Sequence, residues 1–164
     1  MATITLEGNE IHTNGELPAV GTQAPDFRLT AKDMTDKSLA DFAGKKKILN
    51  IVVSLETSFC EVSTKKFNDE AGDDTVVLAI SVDYPIAQTR VVEAAGADKV
   101  VTLSMLRSKS FAKDYGVLIQ DGPLEGICAR AVVVLDENNK VLYNELVPEI
   151  AQAPDYEKAL AALK

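Results

Sequence analysis

Among the residues able to do chemistry, Cys60 holds the most telling place in the chain. The apolar run Ile48 to Val53 reads as a buried strand, interrupted by polar Ser54, Glu56, Thr57 and Ser58. A helical pattern follows, with Cys60 near its first turn. A cysteine delivered to that point meets free backbone N–H groups and the positive end of the helix dipole, and both favour thiolate over thiol. Two readings are open. Free cysteine is among the most buried residue types and often only packs. A helix N-terminus can also lower a thiol pKa from about 8.5 to about 3.5–7.5 and make a nucleophile.

Thr57, three residues earlier, stands where the chain enters the helix. Its hydroxyl is placed to cap the helix, to interact with groups beside the sulfur, or both. Arg130 lies inside the otherwise apolar CARAVVVL, where arginine is rarely buried unless paired. Its guanidinium either finds solvent or a structural carboxylate, or stabilises a thiolate and an oxygen-bearing substrate; the second use suits its burial better. Strand alternation puts Cys128 on the same face as Arg130. His12, the single imidazole, falls on a short polar edge strand and reads as a solvated surface residue.

The elements that must position these residues alternate between strands and helices. Residues 1–15 open with a small hairpin, Thr3 to Leu6 and Ile11 to Thr13, and Asp26 to Thr30 alternates as a strand. Ser38 to Phe42 is one helical turn, and Lys45-Lys46-Lys47 reads as a solvated flank of the strand that follows. Thr75 to Val82 is a second nearly continuous apolar strand, of the kind covered on both faces. Pro85 sits at the first position of a helix running to about Ala95. A short strand at Val100 to Leu103, a helix at Ser108 to Tyr115, a hairpin of Ile127 to Leu135 with Val141 to Val147, and a last helix at Tyr156 to Leu163 complete the chain. The pattern predicts one α/β domain over 1–164 with a mixed sheet.

At 164 residues the chain is long enough for a single core. A net charge of -8 argues against a basic nucleic-acid footprint. No apolar run approaches the roughly 20 residues of a membrane span, and MATITLEGNE carries no secretory pattern, so a cytoplasmic, reducing setting is expected. Two distant cysteines and one histidine give no zinc spacing, and no glycine-rich nucleotide loop is present.

Taken together, the N-terminal hairpin, APDFRLTAKD, LADFAGKKKILN, SLETSFC…KKFN, SVDYPIAQTR, DYGV, ARAVVVLDE and PDYEKALAALK resemble the thiol peroxidase subfamily of the peroxiredoxins over essentially the whole chain. The resemblance implies a thioredoxin-like fold and a homodimer. It also implies reduction of hydrogen peroxide and organic hydroperoxides, with thioredoxin as the usual electron donor and no metal or organic cofactor. It places the peroxidatic cysteine at Cys60, the active-site threonine at Thr57 and the active-site arginine at Arg130. Two departures stand out. The proline of the family's P-S-x-D-T-x-x-C falls on Val53, with Glu56 in place of the acid, and the resolving cysteine of this atypical two-cysteine type falls on Val92. The usual intramolecular disulfide therefore cannot form. Three outcomes are open: an external thiol reduces the oxidised Cys60, Cys128 substitutes as resolver although a structural Cys128 is favoured, or the site is altered into a non-enzymatic sensing or binding module.

Overall fold

The computed structural model describes the backbone of all 164 residues, and the side chains of all but Ser58, Phe59, Cys60 and Glu61. Its strands are β1 (Thr3–Leu6), β2 (Asn9–His12), β3 (Leu29–Thr30), β4 (Asp36–Lys37), β5 (Lys46–Ile51), β6 (Thr75–Ser81), β7 (Val101–Ser104), β8 (Ala131–Leu135) and β9 (Val141–Leu146). The helices are α1 (Ser58–Glu70), α2 (Pro85–Ala94), α3 (Ser110–Asp114) and α4 (Tyr156–Ala161), with a 3-10 turn at Leu39–Phe42. Strands β3 to β9 form one mixed sheet in the order β4-β3-β7-β6-β5-β8-β9, and β1 and β2 form a separate hairpin. In the sheet β5, β6 and β7 are parallel, whereas β8 runs antiparallel to β5. The mixed α/β architecture with an added N-terminal hairpin is the one expected from sequence.

The apolar runs of the central strands divide between two cores because side chains alternate across a sheet. Ile48 and Val52 join Phe67 of α1, Val92 of α2 and Ala159 of α4 on one face. Leu49, Ile51 and Val53 join Phe111 of α3, Leu39 and the hairpin's Ile4 and Ile11 on the other. Each fully buried aliphatic side chain here contributes roughly 1.5–3 kcal/mol. The glycine after α3 has a defined reason. Gly116 has φ +69, and a Cβ there would overlap the backbone of Glu16.

Several boundaries differ from the sequence reading. Strand β8 begins at Ala131, four residues later than expected, because the segment before it pairs elsewhere: Cys128 bridges Leu118, and Ala129 N–H donates to Val117 O at 2.8 Å. The lysine triplet is not a solvated flank throughout. Lys46 and Lys47 belong to β5, and Lys47 is fully buried, its ammonium donating to Lys45 O at 2.9 Å. Burial pushes its pKa down, against the raising influence of Asp136 and Glu137. His12 is half-buried rather than solvated, with Nδ1 2.7 Å from Asp121 Oδ2.

The N-terminal hairpin is strapped to the segment 147–151. Thr5 N–H donates to Pro148 O at 2.8 Å and Ile150 N–H to Thr5 O at 2.9 Å. Glu149 closes the strap by accepting from Thr5 Oγ1 at 2.6 Å and from the N–H groups of Glu7 and Gly8. The Thr5 hydroxyl first, then the Ala151 N–H, hold the Glu149 carboxyl at about 2, below its ordinary 4.5. A depressed carboxylate contributes stability above its unfolded pKa and loses it as pH falls through the folded one. Glu149→Gln therefore lowers the melting temperature most above about pH 4.5, and the difference from the parent narrows as pH falls toward about 2. Thermal denaturation across that range reads the effect.

Candidate active site

The loop between β5 and α1 brings Thr57 and the backbone of Cys60 to one end of the sheet. Strand β5 ends at Ile51, and Val52 N–H extends its pairing to β6 by donating to Ile80 O at 2.9 Å. Leu55 anchors the loop with a fully buried side chain. Helix α1 starts at Ser58, so Cys60 lies in its first turn as expected, while its side chain lies outside the described residues. Further along α1, Ser63 and Thr64 face Asn50 of β5, whose Nδ2 is 3.4 Å from Ser63 Oγ and 3.2 Å from Thr64 Oγ1. Those buried polar contacts fix the rotation of the helix on the sheet.

Thr57 is the N-cap residue, in extended conformation, but its hydroxyl does not make the capping bond. It donates to Ser54 O at 3.0 Å, and Thr57 N–H reaches the same carbonyl at 3.3 Å. The threonine thus closes the loop on itself at the mouth of the helix.

Arg130 reaches the same end of the sheet through register. Ile51 pairs with Ala131, so one step further Val52 lies alongside Arg130, whose carbonyl accepts from Val147 N–H at 3.0 Å. Val132 and Val134 face the core that α1 covers, and the same alternation carried back from Val132 puts Arg130 on that face. The side chain is 2% exposed; Nε donates to Ile150 O at 2.8 Å, and Nη1 is buried with no partner among the described residues. A buried guanidinium N–H without an acceptor costs stability unless something fills the gap. A thiolate or a peroxide oxygen is the kind of acceptor it fits.

The structure does not join Cys128 to this group. The expected shared face with Arg130 fails because residues 127–129 precede β8 and pair with 117–119, whereas Arg130 already pairs with Val147, so the alternation of β8 does not run back to Cys128. Cys128 belongs to the opposite core, fully buried, with Sγ 3.1 Å from Met105 Sδ. Burial pushes its thiol up to about 12, which keeps it protonated at neutral pH. Cys128→Ser is therefore expected to leave the rate of the first oxidation unchanged and to form no less disulfide than the parent. It should cost about 1–3 kcal/mol of stability, because a hydroxyl replaces sulfur in an apolar site. Single-turnover kinetics and denaturant unfolding of the variant check both statements.

Val92 and Val53 are both packing residues. Val92 sits on α2, 6% exposed, among Phe67, Ala97 and Val100, and Val53 is 7% exposed in the other core. Sequence reasoning missed Asp83. Its carboxylate accepts from Ser54 Oγ and from Leu55 N–H, each at 2.8 Å, and from Ser81 Oγ at 2.7 Å. The available signal was topological: parallel neighbours β5 and β6 place the loops after them side by side. Between Glu56 and α2 lies an open cleft of about 640 Å³, lined by Ala87, Arg90, Val91, Glu93 and Ala94.

The Redoxin family model matches residues 19–160. A thiol peroxidase of Mycobacterium tuberculosis is 50% identical over 164 residues, 99% of each chain. A peroxiredoxin-like protein from Aquifex aeolicus superposes with a TM-score of 0.90 at 37% identity, covering 98% of this chain and 95% of the other. A thiol peroxidase from Chromobacterium violaceum shares the fold, with a TM-score of 0.89 at 24% identity over 98% and 94% of the two chains.

Proposed function

Because the chain belongs to the Redoxin family and, within it, to the thiol peroxidases of the peroxiredoxins, we propose that Cys60 is the sulfur on which its thiol-dependent peroxidase activity turns. The fold is thioredoxin-like. The substrate is a hydroperoxide and the electrons come from a thiol; hydrogen peroxide and organic hydroperoxides both fit the chemistry below. The observation that carries the assignment of roles is Arg130, which lies alongside the end of β5 and has a buried Nη1 without a partner among the described residues.

The Cys60 thiolate attacks the terminal oxygen of the peroxide, an S–O bond forms and the O–O bond breaks. The leaving alkoxide or hydroxide takes a proton and departs as alcohol or water, and the sulfur is left as sulfenic acid. Arg130 Nη1 stabilises charge developing along the O–O bond. Thr57 holds the loop against Ser54 O and keeps the first turn of α1 in place, where free N–H groups favour the thiolate.

Recovery uses an external thiol. Position 92 carries no sulfur, and Cys128 lies in the other core. One thiol condenses with the sulfenic acid, releasing water and forming a mixed disulfide. A second thiol displaces it, leaving Cys60 reduced and the reductant oxidised. The cleft beside Glu56 supports the approach of such a thiol, whether thioredoxin or a smaller one. A homodimer is supported by Tyr84 and Ile86 at the start of α2 and Leu106 just after β7, large side chains left exposed beyond the ends of neighbouring β6 and β7. A cytoplasmic setting suits free thiols. No helix among the described residues is long and apolar enough to cross a membrane. Peroxide consumption by the reduced protein, with Cys60→Ser beside it, tests the assignment.

A further inference from the structure

We propose that Asp83 is a positioning residue for the reaction at Cys60, setting the entry of α1 from outside the loop that bears it; this rests on the assignment of Cys60 above. The loop 52–57 contains neither proline nor glycine, so no residue of fixed or special φ sets its path, and its internal bonds from Thr57 to Ser54 O close only its second half. Its path is fixed from the next strand. One oxygen of Asp83 takes the Ser54 hydroxyl, and the other takes Leu55 N–H and the Ser81 hydroxyl. Asp83 is itself held from two sides. Its carbonyl accepts from Ser104 Oγ of β7 at 2.6 Å, and its N–H lies 3.3 Å from Ser81 Oγ. Ser81 Oγ in turn accepts from Nε2 of fully buried Gln88 at 2.9 Å, and the same Nε2 reaches Leu103 O.

The chain of contacts runs from rigid sheet to reacting helix without a gap. Gln88 and Ser81 fix Asp83, Asp83 fixes Ser54 and Leu55, and Ser54 O receives both the N–H and the hydroxyl of Thr57. Thr57 is the residue from which α1 starts. Hydrogen bonds to a carboxylate are the strong kind, and a displacement of about 1 Å at a reacting group can cost about 100-fold in rate. Among the described residues Asp83 contacts the loop and the strand ends, not α1. It acts by holding the turn that aims the first N–H groups of α1.

The readout is the pH profile of Cys60 alkylation, resolved from Cys128 by peptide mass spectrometry, together with the rate of the first oxidation by hydrogen peroxide. In Asp83→Ala the alkylation midpoint moves up by about one unit, and oxidation slows by about tenfold or more. Asp83→Asn, which keeps one acceptor oxygen, and Ser54→Ala, which removes one donor, move both in the same direction by less. Val134→Ala, a cavity in the sheet away from the loop, lowers the melting temperature and leaves the alkylation profile where it was. An unchanged profile in folded Asp83→Ala overturns the proposal. If that variant fails to fold, an unchanged profile in both Asp83→Asn and Ser54→Ala overturns it. Alkylation reports on the thiol directly, so the result stands apart from whether Cys60 is the peroxide-reducing sulfur; retained peroxidase activity in Cys60→Ser would sink that assignment alone.

Discussion

Cys60→Ser is expected to abolish peroxide consumption, a loss of about 10⁴-fold or more, the scale on which removing an enzymatic nucleophile acts. The hydroxyl of serine is nearly isosteric but stays protonated at neutral pH, and an alcohol has no comparable tendency to attack a peroxide oxygen. The helix start that favours S⁻ gives little to a neutral O–H. The substitution lies in the first turn of α1, where serine is well tolerated, so the melting temperature stays close to that of the parent. Loss of activity without loss of fold, read by stopped-flow oxidation beside thermal denaturation, separates the nucleophile from a packing cysteine. A folded variant that still consumed peroxide at the parent's rate would leave Cys60 without its role.

Arg130→Met is the second large effect. The methionine keeps much of the buried stem's volume and removes the fork. The first-oxidation rate constant is expected to fall by about 10²–10³, or about 3–4 kcal/mol of transition-state stabilisation. The structural cost is separable and smaller. The substitution frees Ile150 O from its 2.8 Å partner and removes a buried N–H that has no partner among the described residues. Losing one hydrogen bond destabilises by about 1 kcal/mol, partly offset by relief of the unpaired group. Arg130→Lys restores the charge but not the planar donor pair and recovers only part of the rate. Single-turnover kinetics with hydrogen peroxide and an alkyl hydroperoxide measure this. A folded Arg130→Met with the parent's rate constant would contradict the role given to Nη1.

The two residues were legible in the sequence to different depths. Local order alone puts Cys60 at the start of a helix and leaves packing and nucleophile both open; Thr57, Arg130 and the family resemblance are what point it to the peroxide. Arg130 was read from an anomaly, a charge in an apolar strand, and the register Ile51 to Ala131 accounts for it by setting the residue beside the end of β5. Cys128 was placed on the wrong face by the same alternation rule that serves β8. Periodicity says nothing about where a strand begins, and the pairing of Cys128 with Leu118 depends on residues ten positions back in another loop. Lys47 was misread for a related reason: a lysine at a strand's start can bury its stem and turn its ammonium to a nearby carbonyl.

Asp83 was invisible for a different reason. Its donors lie 28 and 29 residues earlier, and only the parallel pairing of β5 with β6 brings the two loops together. An aspartate between a strand and a helix-starting proline looks like ordinary turn chemistry when read locally. The hairpin at 1–15 was recognised as an element, yet its tie to Glu149 and the neighbouring Ile150, whose carbonyl holds Arg130, also appears only in three dimensions.

The most direct test is mass spectrometry of the reduced protein after one equivalent of hydrogen peroxide, with and without a sulfenic-acid trap. The predicted result is one added oxygen, or one trap adduct, confined to the peptide bearing Cys60, with Cys128 unmodified and no intramolecular disulfide. A Cys60–Cys128 disulfide, or oxygen added first at Cys128, would contradict it.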